Sequence, residues 1–256
     1  MRVHVVSDVH GRIDALARAA DGADALICLG DLILYVDYDD TSQGIFADLF
    51  GAEAAARLVE LRTAKRWDDA RVFSQSLTAG TTPEQRQAMF TDAVRRQYAT
   101  TFAAMPAPAY VTYGNVDLPA LWPEFARPGV QVLDGQRVEL GGKVVGFVGG
   151  GLRTPYRTPY EVSDEEYAAK VAAVGSVDVL ACHIPPAVPE LLYDVRARRF
   201  ERGSEALLDA IRDTQPGLVL FGHVHNPLVR RRRIRRTECV NVGHFRSTGV
   251  PFKIDW

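Results

Sequence analysis

Cysteine is scarce in this sequence, and its spacing is not that of a cross-linked or thiolate-metal protein. Only Cys28, Cys182 and Cys239 occur among 256 residues, each within an apolar stretch, and they form no CxxC pair. An odd number with this spacing argues against a disulfide framework and against a thiolate zinc site. We therefore expect three buried thiols in a reducing compartment.

An excess of charge and a long hydrophobic run are also missing. The 30 Lys and Arg residues nearly balance the 32 Asp and Glu residues, so the net charge is −2 and no global basic field points to nucleic acid. No apolar run reaches the ~18 residues needed to cross a bilayer. The N-terminal MRVHVVSDVH contains too short an apolar segment for a secretory signal. These absences predict a cytoplasmic protein that does not insert into a membrane.

The sequence does contain a regular alternation of apolar strands and helices. Hydrophobic residues make up 47% of the chain, enough for a full core. Continuous apolar runs, typical of strands buried on both faces, cover 3–7, 25–29, 109–113, 143–148, 177–181 and 218–221. Helical patterns cover 12–20, 164–174 and 204–212, the last two with serine N-caps. The alternation predicts a layered α/β fold, with 1–256 as one domain.

Two regions interrupt the alternation. Residues 41–105 carry helical periodicity at 45–50, 54–61 and 85–102, and they separate the second predicted strand from the third. A stretch of this length exceeds any ordinary connection, so we predict a helical, cap-like insertion packed beside the sheet. After residue 218 the chain contains β-rich segments at 228–234, 238–242 and 252–255. We predict that these C-terminal segments form antiparallel strands.

Polar side chains follow the ends of the predicted strands. They are Asp8, His10, Asp31, Asn115, His183, His223 and His225. In α/β folds the carboxyl ends of the strands converge at one edge, so we expect these groups to meet. Their mixture of imidazole, carboxylate and amide suits borderline divalent metals such as Mn, Fe, Zn or Ni. Seven ligands are too many for one ion and suit two.

Five motifs in this order resemble those of the calcineurin-like metallophosphoesterases, whose pattern is DxH, GD, GN[H][DE], H and GHxH. Here they read Asp8-Val9-His10, Gly30-Asp31, Gly114-Asn115-Val116-Asp117, His183 and Gly222-His223-Val224-His225. The resemblance spans residues 8–225 and implies a four-layer α/β/β/α sandwich with a dimetal site. It also implies a hydrolase of phosphoric esters in which a hydroxide bridging the two metals attacks phosphorus in line.

The resemblance distributes the ligands between two ions. It implies that Asp8, His10 and His225 hold one metal, and that the other is held by Asn115, His183 and His223. Asp31 would bridge the two ions, because dications about 3.5–4 Å apart repel strongly unless an anion lies between them.

One position departs from the family pattern. The family usually has a histidine where Val116 stands, held by the following acid and placed to protonate the leaving oxygen. Valine can do neither, so Asp117 loses its usual partner; the change resembles a branch of small prokaryotic phosphodiesterases. General acid catalysis is worth about 10²–10⁴-fold, so we expect esters with good leaving groups to be preferred. His244, in the loop 241–249, is either a substitute donor or a partly exposed loop histidine.

Other polar features have both a functional and a structural interpretation. The run RRRRIRR at 230–236 is interpreted as an exposed edge strand whose charge discourages edge-to-edge pairing, with a phosphate-rich ligand or nucleic acid as the alternative. Arg153 and Tyr156 either contact substrate phosphate or belong to a simple turn. Residues 35–40 either line the mouth of the site or form a solvated loop.

These features together predict a metal-dependent phosphodiesterase acting on a small phosphoester, with Asp31, Asn115 and His244 as catalytic candidates. The insertion would restrict access to the site. A phosphomonoesterase or protein phosphatase is the alternative among enzymes, and a non-catalytic metal-binding scaffold is the alternative outside them. Nucleic acid is not favoured as a partner, and the oligomeric state is left open, with a homodimer as one option.

Overall fold

The computed structural model describes residues 1–256, and two β-sheets form its centre. The strands are β1 Arg2–Val6, β2 Ala25–Cys28, β3 Ala109–Val111, β4 Val130–Val132, β5 Gln136–Leu140, β6 Lys143–Val148, β7 Gly151–Leu152, β8 Glu161–Val162, β9 Val179–Cys182, β10 Tyr193–Asp194, β11 Arg199–Phe200, β12 Leu218–Phe221, β13 Arg231–Ile234, β14 Thr237–Asn241 and β15 Phe252–Asp255. The helices are α1 Ile13–Leu16, α2 Ile45–Phe50, α3 Ala52–Thr63, α4 Trp67–Ser76, α5 Pro83–Ala104, α6 Asp164–Val174, α7 Pro189–Leu192, α8 Glu205–Thr214 and α9 Phe245–Thr248. None of these helices combines the length and the hydropathy that a membrane span requires.

The first sheet has the strand order β15-β1-β2-β3-β4, and the second has the order β13-β14-β12-β9-β6-β5. Strands β1 to β4 run parallel, as do β6, β9, β12 and β14. Only the edge strands β15, β5 and β13 are antiparallel to their neighbours. The carboxyl ends of the central strands therefore lie along one edge of each sheet.

The two sheets pack face to face, and helices cover their outer faces. Val5 and Ile27 of the first sheet share one buried cluster with Phe147 and Leu220 of the second. Alternate residues of the same strands, such as Leu26, point outward into a cluster built with α5. The outer face of the second sheet packs against α6 and α8. Side chains that alternate between faces thus produce four layers, and the predicted α/β/β/α sandwich is confirmed.

Helices α2 to α5 all lie within the predicted insertion. The longest, α5, begins at Pro83 with a capping box in which Thr82 and Gln85 satisfy each other's backbone N–H groups. Its buried face, including Tyr98 and Phe102, packs on the first sheet. A separate small cluster around Phe46 joins α2, α3 and α4. The insertion is therefore anchored through α5 and carries its own small core.

Two expectations about secondary structure are wrong. The helix predicted at 12–20 has only the four residues Ile13–Leu16; the following residues form tighter turns, because the chain reverses at Gly22, with φ +79°, to enter β2. The C-terminal strands are not uniformly antiparallel, since β14 pairs parallel to β12. The long connection from Phe221 to Arg231 carries the chain to the outer edge, and the β13–β14 hairpin then places β14 beside β12.

Candidate dimetal centre

Both sheets deliver polar groups to one place from the carboxyl ends of their parallel strands. From the first sheet come Asp8 and His10 after β1, Asp31 after β2 and Asn115 after β3. From the second come His183 directly after β9, and His223 and His225 after β12. All seven residues predicted from the sequence thus lie in one cluster between the two sheets, as their mutual distances below establish.

The backbone is strained at four of these residues. Asp8, His10, Asp31 and His223 have φ values of 58°, 41°, 56° and 65°. This left-handed region costs a residue other than glycine about 1–2 kcal/mol. Such strain persists only where the surroundings determine it, and it is typical of functional sites. The two turns that carry Asp31 and Asn115 also touch so closely that a Cβ on Gly114 would overlap the Asp31 carboxylate.

The first group of donor atoms surrounds Asp8. His10 donates its Nδ1 proton to the Ile33 carbonyl over 2.8 Å, so its Nε2 lone pair faces the cluster, 4.0 Å from Asp8 Oδ1 and 3.8 Å from Asp31 Oδ2. Nε2 of His225 lies 3.4 Å from Asp8 Oδ1. Asp8 Oδ1 and His10 Nε2 are buried without any hydrogen-bond partner.

The second group of donor atoms surrounds the Asn115 amide oxygen. Asn115 Oδ1 lies 2.9 Å from Nε2 of His183 and 2.9 Å from Nδ1 of His223. Nδ1 of His183 lies 2.9 Å from the Leu29 carbonyl, which can only accept, so the ring proton is on Nδ1. In a neutral ring Nε2 is then a lone pair that faces a second lone pair on Asn115. Two acceptors at this distance need a cation or a proton between them.

Asp31 lies between the two groups. Its Oδ2 atom is 3.5 Å from His183 Nε2 and 3.8 Å from His10 Nε2. The side chain is 4% exposed. A carboxylate in this position can contact an ion in either group, which is the arrangement that a bridging ligand requires.

The seven residues fit a pair of divalent cations. Metal–nitrogen and metal–oxygen bonds of about 2.1 Å place two donors on one ion roughly 3–4 Å apart, and the separations within each group range from 2.9 to 4.0 Å. Buried atoms without partners, such as Asp8 Oδ1, are rare unless something else satisfies them. Backbone carbonyls that fix the imidazole tautomer are also typical of metal-binding histidines.

The electrostatics favour the metal-binding protonation states of Asp8, His10 and His223, but not of His225. Burial would raise the pKa of Asp8, but the His225 ring, whose Nε2 lies 3.4 Å from Asp8 Oδ1, and the charges of the other nearby imidazoles hold it well below its ordinary value. Burial lowers the pKa of His10 and of His223. Burial also acts to lower the pKa of His225, but the adjacent carboxylate of Asp8 outweighs it and raises that pKa. An ionised carboxylate beside neutral imidazoles is the form in which these groups coordinate cations.

Asp117, to which sequence reasoning gave no definite role, holds the turns of the site together. Its Oδ2 accepts hydrogen bonds from the N–H groups of Asp31 and Gly114, each over 2.8 Å. Its Oδ1 accepts from the Leu32 N–H over 3.1 Å and from the Tyr98 hydroxyl over 3.2 Å. Burial and the neighbouring Asp31 raise the pKa of Asp117 to about 6, so it remains largely ionised at neutral pH.

Val116 contributes its backbone to the site and not its side chain. Its N–H donates to Asp31 Oδ1 over 3.0 Å, which helps to fix the carboxylate between the two groups. The valine side chain packs against the outer cluster of the first sheet. The position therefore offers no titratable group to a leaving oxygen.

His244 joins the first group of donor atoms. Its ring stacks on that of His225 with centres 3.8 Å apart and 3° between the planes, and it lies 5.8 Å from the ring of His10. The Phe245 N–H donates to the Ser7 carbonyl and holds this loop against the end of β1. His244 Nε2 is buried without a partner. Burial and the neighbouring His225 lower the pKa of His244 to about 3, so the ring is neutral at pH 7.

Three further residues around the site had no individual role predicted from the sequence: Thr158, and Asp37 and Arg246 within the segments 35–40 and 241–249. Thr158 accepts a hydrogen bond from the Asn115 side-chain amide over 3.0 Å. It lies in the irregular loop between β7 and β8, where no periodicity marks it. The Arg246 guanidinium donates to the His10 carbonyl over 2.6 Å and pairs with Asp37. Both partners of that ion pair are largely buried, and the pair joins the loop after β2 to α9.

Most of the arginine run lies on an exposed strand, although Arg230 packs against Gly243 beside His244. Strand β13 is an edge strand of the second sheet, and Arg231, Arg232 and Arg233 on it are exposed. Two of them pair with acids, Arg231 with Glu238 and Arg232 with Glu190. This placement agrees with the interpretation of the run as an exposed edge strand whose charge discourages pairing with another strand.

Known proteins similar to this chain were found by sequence and by structure. A family profile described as calcineurin-like phosphoesterase matches residues 1–227. The chain resembles the crystal structure of TT1561 of Thermus thermophilus, with a TM-score of 0.55, 14% identity, and coverage of 96% of this chain and 90% of that one. A provisionally assigned 5′-nucleotidase from Staphylococcus aureus, solved with alpha-ketoglutarate, aligns with a TM-score of 0.46 and 16% identity, over 94% of this chain and 48% of its own.

No curated protein matches the chain. The family match covers most of the sequence and contains all five motifs. The chain therefore belongs to the calcineurin-like phosphoesterase family and is a metal-dependent hydrolase of phosphoric esters.

Proposed function

We propose that this protein hydrolyses small phosphodiesters at a two-metal centre. Asp8, His10 and His225 would hold one ion, Asn115, His183 and His223 would hold the other, and Asp31 would bridge them. The observation that carries the proposal is the pair of facing lone pairs on His183 Nε2 and Asn115 Oδ1, 2.9 Å apart. A shared cation resolves that repulsion without disturbing the hydrogen bond from His183 to Leu29.

The bound ions would supply two kinds of chemistry: a lowered pKa for water and neutralisation of the phosphoryl oxygens. The protein supplies the positions. Carbonyl groups of Ile33 and Leu29 fix two imidazoles with their Nε2 atoms turned inward. The Val116 N–H and the turns held by Asp117 fix Asp31 in the middle.

The preference for phosphodiesters with good leaving groups rests on residue 116. A donor imidazole at this position is replaced by a valine whose side chain packs into the core. Without a general acid beside the leaving oxygen, an alkoxide departs slowly, whereas an activated or stabilised leaving group needs little help. We therefore propose activated diesters as the better substrates.

His244 is proposed as a hydrogen-bonding group for the substrate. A general acid works best with a pKa near the working pH, and the pKa of His244 is lowered to about 3. The neutral ring still carries one N–H, and its unpaired Nε2 lies beside the first group of donors. A contact with a phosphoryl oxygen or with the leaving oxygen is the role open to it.

The position of the helical insertion supports the proposal that the substrate is small. Trp67 of α4 contacts Tyr156 of the loop after β7 edge to face, with ring centres 4.7 Å apart. The Arg199 guanidinium of β11 lies 4.8 Å from the centre of the same Tyr156 ring. That loop also carries Thr158, which contacts Asn115, so the insertion reaches the rim of the site. A bridge of this kind leaves little room for a folded phosphoprotein.

A panel of phosphomonoesters and phosphodiesters, including cyclic nucleotides and aryl diesters, tests the proposal in the presence of Mn²⁺. We expect turnover of small diesters that chelator abolishes and Mn²⁺ restores. If only monoesters are turned over, the protein is a phosphomonoesterase and the proposal is wrong. A protein that binds less than about one metal and has no activity with Mn²⁺ or Ni²⁺ would instead be a scaffold.

A further inference from the structure

The side-chain amide of Asn115 is connected to a short hydrogen-bond chain outside the metal cluster. Its Nδ2 group lies 3.0 Å from the hydroxyl oxygen of Thr158, and that oxygen lies 2.8 Å from Oε1 of Glu161. Glu161 also accepts from the N–H and from the hydroxyl of Thr154. The Tyr160 N–H donates to the Asn115 backbone carbonyl over 2.9 Å. The loop between β7 and β8 therefore grips Asn115 at both its main chain and its side chain.

Only one direction of hydrogen-bond donation is possible from Asn115 through Thr158 to Glu161. A carboxylate can only accept, so the single Thr158 hydroxyl proton is given to Glu161. The Thr158 oxygen can then only accept from Asn115, which requires the amide NH₂ to face Thr158. Because the amide is planar, its oxygen must face the opposite way, toward His183 and His223.

If the Asn115 amide were flipped, its oxygen would no longer face the second metal position and could not bind an ion there. A flipped Asn115 would turn its two N–H donors toward His183 Nε2 and His223 Nδ1. With a lone pair on each of these nitrogens, all three groups would be satisfied without a cation. Nothing in the pair of imidazoles prevents this flip. Thr158 prevents the flip, because its oxygen can only accept from Asn115 and would face the lone pairs of the flipped amide oxygen.

We propose that Thr158, fixed by Glu161, is a positioning residue that keeps the Asn115 oxygen available to the second metal ion. The inference rests on the proposed two-metal function, because it assigns a task to residues outside the ligand set. Groups that orient metal ligands typically change metal affinity by about 10–100-fold when they are removed. Replacing the hydroxyl should therefore weaken one of the two metal positions and spare the other.

The test measures Mn²⁺ binding by titration calorimetry and by electron paramagnetic resonance on the metal-free protein. Wild type should bind two ions and give a spin-coupled spectrum. Thr158→Val should bind the first ion as wild type does, bind the second at least tenfold more weakly, and show an uncoupled spectrum at matched loading. Thr158→Ser should restore both positions. Glu161→Gln, whose amide can donate to Thr158, should also weaken the second ion.

Thr63→Val, at an exposed position on α3, is the matched control and should bind as wild type does. Circular dichroism in chelator checks that each variant is folded. Two ions bound by folded Thr158→Val with affinities within about twofold of wild type would overturn the positioning role and leave the proposed function intact. A wild-type protein that binds fewer than two ions would overturn both.

Discussion

At the scale of single residues, one carboxylate organises the main chain of the site. Asp117 accepts hydrogen bonds from the turns after β2 and β3, and from Tyr98 of α5. Each of its oxygens receives two donors, so the side chain is fully used. This gives the acid a structural task although residue 116 is a valine, and it couples the insertion to the centre of the site.

Asp117→Asn tests this assignment. The amide keeps one acceptor oxygen and presents an NH₂ group to two of the four donors, which leaves buried N–H or O–H groups unsatisfied. We expect the free energy of unfolding, measured by urea titration in chelator, to fall by about 2–4 kcal/mol. Asp68→Asn, on the exposed face of α4, should change it by no more than about 0.5 kcal/mol. A fall in the free energy of unfolding of less than about 1 kcal/mol for Asp117→Asn would show that the hydrogen bonds to Asp117 are not needed for stability.

Val116 determines a second prediction, which concerns the leaving group. Across a series of aryl phosphodiesters, wild-type kcat/KM should fall steeply as the pKa of the leaving phenol rises, because no general acid assists its departure. Val116→His should flatten that slope, raising the rate for the poorest leaving groups by roughly tenfold or more. Val116→Leu serves as the control and should keep the steep slope. A flat wild-type dependence would contradict the account of this position.

At the scale of elements, the sequence predicted the buried strands and the longer helices, and it missed short or exposed elements such as β4 and β7. Strands such as β2 and β12 are continuously apolar because they are buried on both faces, and their ends could be located within one or two residues. Helix α4 was not predicted as a separate helix within the insertion; Ala70 is its only buried residue, and Phe73 packs half-buried on the same face. The short helix after β1 was overestimated because alanine-rich segments accept either helix or tight turns.

The same limit applies to the site. The seven proposed ligands were visible because they interrupt apolar strands at fixed places. Thr158 lies in an irregular loop, and its importance depends on which group faces it across 43 positions of sequence. Only the folded chain shows that Asp117 accepts four hydrogen bonds, because its donors come from three different elements.

Helix α4 provides a prediction at this scale. Trp67→Ala removes the edge-to-face contact with Tyr156, and it should open the rim between the insertion and the loop after β7. We expect kcat/KM for a bulky diester to rise about tenfold relative to that for a small one, a size that one pocket contact can supply. Trp67→Phe keeps an aromatic edge and should preserve the wild-type ratio. If the alanine variant leaves this ratio unchanged, the insertion does not limit access.

At the scale of the whole molecule, the site exists only because two sheets face each other. The first sheet brings Asp8, His10, Asp31 and Asn115, and the second brings His183, His223 and His225. The first half presents buried atoms, Asp8 Oδ1 and His10 Nε2, for which the second half supplies no hydrogen-bond partner. Cations bound between the halves would therefore join them, so metal binding and folding stability should be coupled.

Removing the metals should accordingly lower the melting temperature. A ligand present at 100 times its Kd stabilises the folded state by about 2.7 kcal/mol, and for a protein of this size 1 kcal/mol corresponds to about 2–4 °C. We expect chelator to lower Tm by roughly 5–10 °C and Mn²⁺ to restore it, as followed by calorimetry. Asp8→Asn should reduce the shift. A chelator effect below about 1 °C would mean that the two halves are held together without cations.

The most direct test of the central claim is the number and coupling of bound metals. Metal-free protein loaded with Mn²⁺ should retain two ions per chain after desalting, and its electron paramagnetic resonance spectrum should show spin coupling between ions held by a common carboxylate. Asp31→Ala should lose that coupling. Fewer than two ions in the wild type, or two ions whose spectrum is uncoupled, would contradict a centre bridged by Asp31.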